Sequence, residues 1–166
     1  MRALVQRVAH ASVTVEGRVT GTIGRGLLVF LGVTHGDQDE DAVRLAEKCV
    51  RLRCFPDGER AMNLALGDVG GALLAVSQFT LYGDTARGHR PSFAAAAGPA
   101  EAEERYRVFC AAVRGLGVAC EEGVFRAHME VALLNEGPVT LLLEAGPSGA
   151  APRAEAAAGS GAGSGR

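Results

Sequence analysis

Tryptophan is absent from this 166-residue sequence, and aromatic residues make up only 5% of it. Apolar residues nevertheless reach 48%, which is enough for one domain with a mainly aliphatic core. No apolar run approaches the roughly 20 residues of a membrane-spanning helix, and runs such as residues 27–31 are far shorter. Arg2, Gln6 and Arg7 interrupt the start, where a secretory signal would be continuously apolar. We therefore expect a cytoplasmic protein.

Positive charge is not in excess, because the sequence has 17 Lys and Arg residues and 19 Asp and Glu residues, which gives a formal net charge of −2. No global field marks a nucleic-acid partner, so any polyanionic ligand would have to meet a local basic patch. The cysteines form no CxxC pair and have no histidine at metal-ligand spacing. We expect buried, reduced, structural cysteines and no metal site. The four are Cys49, Cys54, Cys110 and Cys120.

The usual side-chain motifs of hydrolases and nucleotide-binding enzymes are also missing. There is no G-x-S-x-G elbow, no P-loop and no dinucleotide fingerprint. Asp37, Asp39 and Asp41 resemble the start of a calcium loop, but Ala42 and Lys48 stand where its Gly and Glu belong. This segment is interpreted as a solvated helix start. The four histidines are scattered, and each is interpreted as a surface or strand residue and not as a catalytic base.

Periodicity predicts a mixed α/β domain over residues 1–147. The predicted strands are residues 4–9, 12–16, 19–23, 26–33, 72–79, 118–123, 129–134 and 139–144, with a hairpin turn at Gly17-Arg18. The predicted helices are residues 39–53 and a segment beginning at Pro99. Residues 148–166 contain 15 Gly, Ala or Ser among 19 and are predicted to be a flexible tail.

Gly137-Pro138 lies between two strong strand patterns. A hairpin turn would explain it in most proteins. Alternatively, a turn that proline holds rigidly would present fixed backbone carbonyls to a ligand.

Three segments together resemble the D-aminoacyl-tRNA deacylase family: Ser-Gln-Phe-Thr-Leu at 77–81, Arg-Pro-Ser-Phe at 90–93, and Asn-Glu-Gly-Pro-Val-Thr at 135–140. The first eight residues are similar to the family's first strand. The resemblance runs from Met1 to about Glu144 and departs from the family in two places. Glu136 replaces the usual Asp, and Phe-Arg-Ala-His-Met at 125–129 replaces a segment that more often carries an acidic residue before Met.

The resemblance implies a barrel-like, homodimeric enzyme that hydrolyses the ester of D-aminoacyl-tRNA in translation quality control. The Gly137-Pro138 turn of one subunit, with its peptide bond cis, would enter the other subunit's pocket near Ser77 to Thr80. Rigid carbonyls there would bind the ammonium group and block an L side chain, whereas glycyl-tRNA would escape rejection. Arg7 would brace this turn, although an edge position for its charge is the structural alternative.

The remaining roles follow from the chemistry of ester hydrolysis. Backbone N–H groups of Phe79 and Thr80 are candidate oxyanion donors, and Gln78 could orient the ester or the terminal adenosine. Thr80 has no adjacent base, so attack by water assisted by the substrate's ribose hydroxyl is favoured, with Thr80 as a positioning residue. Phe125 and Met129 could line an adenosine pocket or belong to the core. Phosphate contacts could come from Arg25, Arg87 and Arg90. No cofactor is expected.

Three other functions stay open on sequence grounds. The first is a related proofreading deacylase with a trans Gly-Pro bond, which acts on achirally or L-mischarged tRNA. The second is a non-catalytic tRNA-binding module. The third is a general esterase that uses Thr80 or Ser77 as its nucleophile and should cleave small acyl esters.

Overall fold

The computed structural model describes residues 1–146, which form one mixed sheet with two α-helices. In chain order the elements are β1 (Arg2–Val15), β2 (Arg18–Ile23), β3 (Gly26–Gly32), α1 (Asp39–Arg51), β4 (Ala72–Ser77), a 3₁₀ helix (Phe79–Tyr82), α2 (Pro99–Gly115), β5 (Cys120–Glu122) and β6 (Glu130–Glu144). The predicted tail, residues 148–166, lies outside the described residues. No helix within residues 1–146 is long and apolar enough to cross a membrane.

The long strand β1 organises the sheet. Along one edge it pairs with β3 and then with β2, and along the other edge it pairs with β6, always antiparallel. The parallel strands β4 and β5 continue from β3. Contacts of β2 with β4 and β5 bend the sheet nearly into a barrel, against which the two helices pack. The predicted barrel-like α/β architecture is confirmed.

The core has two compartments, and β3 and β4 contribute to both. Leu27, Val29 and Leu31 belong to the cluster beneath the helices, whereas Leu28 belongs to the barrel interior. Because successive strand residues point to opposite faces, a continuous apolar run places apolar side chains in both compartments. The prediction that β3 is buried on both faces is therefore confirmed.

Several predicted boundaries differ from the structure. The hairpin turn lies one residue earlier, at Glu16-Gly17, where φ values of +50° and +75° fit the left-handed turns that join twisted strands. Helix α1 ends at Arg51, two residues before the predicted end. Strand β4 ends at Ser77 and not at Phe79, because the chain turns into the 3₁₀ helix.

The hairpin turn considered for Gly137-Pro138 is wrong. Both flanking segments pair with β1 in the same antiparallel direction, so they form one strand, β6. Thr140 lies opposite Gln6 and Asn135 lies opposite Val8, which leaves four residues of β6 facing Arg7 alone. The Gly-Pro dipeptide is thus the tip of a wide bulge within a continuous strand.

The cysteines are free and buried within residues 1–146, which confirms the structural interpretation. Burial raises the pKa of the Cys49 thiol to about 12, so its reactive thiolate is strongly disfavoured at neutral pH. The segment that contains the three aspartates starts a helix as predicted, but it is not solvated throughout, because Asp37 and Asp41 are buried. Asp39 begins α1, Asp41 accepts a hydrogen bond from the Gln38 backbone, and Asp37 forms a buried ion pair with the ammonium group of Met1 at 2.6 Å.

Candidate active site

A cavity of about 570 Å³ opens where β3 and β4 end beside the start of α2. A turn at residues 124–127 and the residues after it form another wall. The lining is largely apolar and consists of Leu31, Val33, Val76, Ser77, Gln78, Phe79, Phe93, Ala96, Ala97, Pro99, Ala102, Tyr106, Phe125, Arg126, Ala127, His128, Met129 and Val131. Apolar walls with a few polar groups are typical of small-molecule sites. Five predicted site residues are among them: Ser77, Gln78, Phe79, Phe125 and Met129.

The segment from Ser77 to Thr80 takes its shape from the end of β4. The Gln78 N–H donates to the Leu31 carbonyl at 2.8 Å, which is the last hydrogen bond before the 3₁₀ helix begins. The first N–H groups of a helix have no partner within it. Within residues 1–146, the N–H groups of Phe79 and Thr80 donate to no acceptor. They are therefore available to a bound ligand.

Thr80 lies beside the cavity but does not line it. The Gln78 side-chain amide donates a hydrogen bond to the Thr80 hydroxyl oxygen. An amide donor cannot remove the hydroxyl proton, and Thr80 makes no other side-chain hydrogen bond within residues 1–146. Within residues 1–146 no base is placed to activate the Thr80 hydroxyl.

Phe125 and Met129 line the cavity and also pack against the core, and their contact with adenosine stays a prediction. The ring of Phe125 lies 6.0 Å from that of Tyr106, a cavity residue on α2. The Tyr106 hydroxyl donates to the Ala75 carbonyl at 2.9 Å. Burial, reinforced by Cys110 and Glu122, raises the pKa of Tyr106 far above its usual value, so it remains a donor.

Phe93, Arg126 and His128 also line the cavity without having been assigned a role there. The Phe93 ring stands edge-on to Phe79 at a centroid distance of 5.0 Å. Its membership of the Arg-Pro-Ser-Phe segment was the available signal. The departure of residues 125–129 from the family was the available signal for Arg126 and His128, but only the fold shows that the 124–127 turn lies at the end of β4.

Arg7 occupies the gap that the β6 bulge leaves in the ladder. Its guanidinium donates to three backbone carbonyls: Glu136 at 2.8 Å, Ala61 at 3.4 Å, and Cys54. Only 8% of the residue is exposed, so the alternative of a charge at the domain edge is wrong. The Glu136 carboxylate lies 3.9 Å away and supplies the countercharge.

The bulge is closed from its other side by Asn135. Its side-chain amide donates to the Val139 carbonyl at 3.1 Å, and its side-chain oxygen accepts from the Val139 N–H at 2.8 Å. Gly137 between them has φ +143°, and a Cβ there would lie 2.8 Å from Val139 Cγ2 and 3.0 Å from an Arg7 nitrogen. Only glycine fits this position. The Gly137–Pro138 peptide bond is cis, the isomer that the resemblance implies.

The structure does not bring the two halves of the predicted site together within one chain. Gly137 and Pro138 are exposed and do not line the cavity that holds Ser77, Gln78 and Phe79. Within residues 1–146 no cluster of three or more His, Cys, Asp or Glu side chains could hold a metal ion.

Comparison with known proteins identifies close relatives. Residues 4–144 match the family model described as D-Tyr-tRNA(Tyr) deacylase. A protein named D-aminoacyl-tRNA deacylase from Koribacter versatilis is 59% identical over 144 residues, which cover 87% of this chain and 97% of the relative. One of the same name from Thermus aquaticus is 54% identical and covers 87% and 95%.

Solved structures show the same architecture. The c-Myc DNA unwinding element binding protein superposes with a TM-score of 0.81 at 36% identity, covering 88% of this chain and 99% of the other. A probable eukaryotic D-amino acid tRNA deacylase superposes with a TM-score of 0.72 at 18% identity, covering 86% and 98%. At that identity the second likeness concerns the fold alone.

The contacts of Arg7 predict a large loss of stability when its side chain is truncated. In Arg7→Ala the carbonyls of Glu136, Cys54 and Ala61 lose their donor, that of Cys54 in a buried position, and we expect the free energy of unfolding to fall by about 2–4 kcal/mol in urea titration. Arg53→Ala is the matched control, because exposed Arg53 also donates to a carbonyl, that of Asn63. Its loss should stay below about 1 kcal/mol, and equal losses in the two variants would contradict the proposed brace.

Proposed function

The chain belongs to the D-Tyr-tRNA(Tyr) deacylase family, and from this premise we propose how it hydrolyses D-aminoacyl-tRNA. The relatives are named D-aminoacyl-tRNA deacylase, and membership of this family makes the chain a hydrolase of translation quality control. The proposal concerns the arrangement of the site. The exposed Gly137-Pro138 bulge of one subunit completes the cavity beside Ser77 to Thr80 of a second subunit. The separation of these two groups within one chain is the observation that carries it.

The surface around the bulge supports a homodimer. Strand β6 pairs with β1 on one edge only within residues 1–146, so its other edge carries unpaired backbone groups over a long span. Leu134 and Leu142 on this strand are each 54% exposed, and Phe79 at the cavity mouth is 57% exposed. A long edge strand with exposed leucines favours association with another copy. A subunit docked there would carry its own bulge into the interface.

In this proposal, backbone atoms discriminate D-aminoacyl from L-aminoacyl groups. D- and L-residues carry the same side chain, so a pocket shaped to the side chain cannot separate them. The Gly137 and Pro138 carbonyls accept hydrogen bonds from the substrate ammonium group and occupy the direction that an L side chain would take. Arg7 and Asn135 hold the bulge from both sides, so it cannot move aside. Rejection by about a thousandfold requires roughly 4 kcal/mol, which a rigid steric clash supplies.

Hydrolysis in this site uses water and backbone donors, with no metal or cofactor. Water adds to the ester carbonyl carbon, and the developing oxyanion is stabilised by the free N–H groups of Phe79 and Thr80. Such donors contribute roughly 3–4 kcal/mol in other enzymes. The vicinal ribose hydroxyl assists removal of the water proton, and the departing ribose oxygen takes up a proton. Ser77 and Gln78 shape the entrance, and Gln78 orients Thr80. Phe125 and Met129 contact the terminal adenosine.

The substrate profile follows from the backbone barrier. We expect cleavage of D-aminoacyl-tRNA and of glycyl-tRNA, and cleavage of L-aminoacyl-tRNA slower by about a thousandfold. Glycine is cleaved because it has no side chain to clash. Deacylation rates on the three substrates measure this directly. Cleavage of L-residues would favour the related proofreading enzyme, binding without cleavage would favour a tRNA-binding module, and rapid hydrolysis of small acyl esters would favour a general esterase.

Mixing two inactive variants tests whether the site is shared between subunits. Gly137→Ala displaces the bulge, and Phe79→Pro removes one oxyanion donor at a first helical position that tolerates proline. Each homodimer should be inactive. After subunit exchange, half of the dimers are mixed and hold one intact site, so about a quarter of wild-type activity should return.

Phe79→Ala is the matched control, because it keeps the backbone donor and should retain more activity than Phe79→Pro. Gel filtration and circular dichroism establish that each variant is folded and dimeric. Absence of recovered activity on mixing folded dimers would show that the bulge serves its own chain.

Thr80→Val distinguishes a positioning residue from a nucleophile. Since the Thr80 hydroxyl accepts from Gln78 and faces no base, we expect kcat to fall by less than about tenfold, whereas removal of a nucleophile would cost several orders of magnitude. Single-turnover deacylation rates provide the measurement. Complete loss of turnover with substrate binding retained would assign Thr80 as the nucleophile.

A further inference from the structure

Arg126, on the 124–127 turn, is the one permanently charged residue that lines the larger cavity among the residues that the structure describes. No Asp or Glu belongs to the lining within residues 1–146, and Arg126 is the one arginine. The whole chain has a net charge of −2, so a cavity free of carboxylates with an arginine at its rim is a local exception. Such a site attracts an anionic ligand.

The backbone conformation at Arg126 is unfavourable for a residue other than glycine, which indicates that the arginine side chain has a function. The Ala127 N–H donates to the Val124 carbonyl at 3.2 Å, which closes a four-residue turn. Arg126 is the third residue of that turn and has φ +63°. A positive φ at this place ordinarily favours glycine, so an arginine here is unfavourable for the backbone. The same turn directs Phe125 into the cavity, against Tyr106, and leaves Arg126 exposed at the rim.

Within the part of the chain that the structure describes, the charge of Arg126 has no partner. Its guanidinium makes no hydrogen bond or ion pair with any of residues 1–146. His128, two residues further on, is exposed and is equally without a partner there. His128 also lines a second, smaller cavity of about 270 Å³ together with Glu16 and Glu130, neither of which lines the larger one. The larger cavity therefore presents nitrogen donors to its ligand.

We propose that Arg126 and His128 bind the phosphate attached to the 5′ oxygen of the substrate's terminal adenosine. This inference rests on the proposed function, in which the apolar part of the cavity holds the adenosine beside Phe125 and Met129. A nucleoside so placed carries its first phosphate at the mouth of the cavity, where Arg126 supplies a fork of donors suited to phosphate oxygens. The two side chains thereby bind the end of a nucleic acid strand locally. The protein as a whole has a net negative charge and would not attract this polyanion by long-range electrostatics.

A comparison of two small substrates tests the phosphate contact. The substrates are adenosine esterified with a D-amino acid on its ribose, with and without a 5′-phosphate. In the wild-type enzyme the phosphate should raise kcat/KM by about tenfold, the size of one charge-assisted contact. In Arg126→Gly most of this advantage should be lost, whereas hydrolysis of the ester without phosphate should fall much less. Arg126→Lys should keep part of the advantage, and His128→Gln should lose part of it.

The variants contain their own folding control. Glycine is the easier residue at φ +63°, so Arg126→Gly should unfold at a temperature equal to or above that of the wild type. Arg51→Ala is the matched surface control, because Arg51 is exposed, lines neither cavity and has no partner within residues 1–146. It should leave the phosphate advantage intact. On D-aminoacyl-tRNA, Arg126→Gly should also reduce the slope of log kcat/KM against log salt by about one.

The outcomes separate this proposal from the function on which it rests. Failure of the wild-type enzyme to hydrolyse D-aminoacyl-tRNA would refute the function. A wild-type enzyme that hydrolyses D-aminoacyl-tRNA but gains nothing from the 5′-phosphate would overturn the phosphate contact alone. The contact is equally refuted if the advantage survives undiminished in Arg126→Gly, or if that variant slows both small substrates to the same extent.

Discussion

The buried guanidinium of Arg7 holds together the part of the molecule on which the proposed chemistry depends. It stands in β1 where the ladder to β6 is interrupted, and its donors reach carbonyls from the bulge and from the segment after α1. A buried charge is tolerable only when hydrogen bonds replace its hydration, and here backbone carbonyls do so from several directions. The bulge is consequently fixed in position relative to the sheet, although it is exposed at its tip.

The two sides of the bulge are restrained by different chemistry. Arg7 binds the carbonyl before Gly137, whereas Asn135 imitates a backbone pair with Val139 and closes the loop behind it. Glycine at φ +143° then allows the chain to pass between them without a steric clash. A rigid main-chain feature built in this way can discriminate a substrate by position alone, independently of side-chain shape. The proposed rejection of L-aminoacyl-tRNA requires this property, because D- and L-residues differ only in the configuration of one carbon.

The cavity illustrates how a chain with few aromatic residues concentrates them. Of six phenylalanines and two tyrosines, Phe79, Phe93, Phe125 and Tyr106 meet around one cavity, whereas the sheet core is aliphatic. Flat rings suit the stacking of a base and leave the aliphatic barrel to provide rigidity. The polar groups at this cavity lie near its edges: free N–H groups where β4 ends, and Arg126 and His128 on the opposite turn. An apolar interior with a polar rim accommodates a nucleoside whose charged end faces solvent.

The sequence by itself determined the local and repetitive features of this protein. Period-two and apolar patterns placed the strands, the aspartate-rich start and Pro99 placed the helices, and short segments such as residues 77–81 and 135–140 indicated the family and most of the candidate site. It did not determine that residues 129–134 and 139–144 are one strand, because that depends on their shared pairing with β1. Nor did it assign Arg126, His128 or Tyr106 to the cavity, since residues distant in sequence meet only when the sheet curves and α2 packs on it. Only the tertiary structure decided these points, because pairing partners and cavity walls arise from long-range contacts that no local pattern encodes.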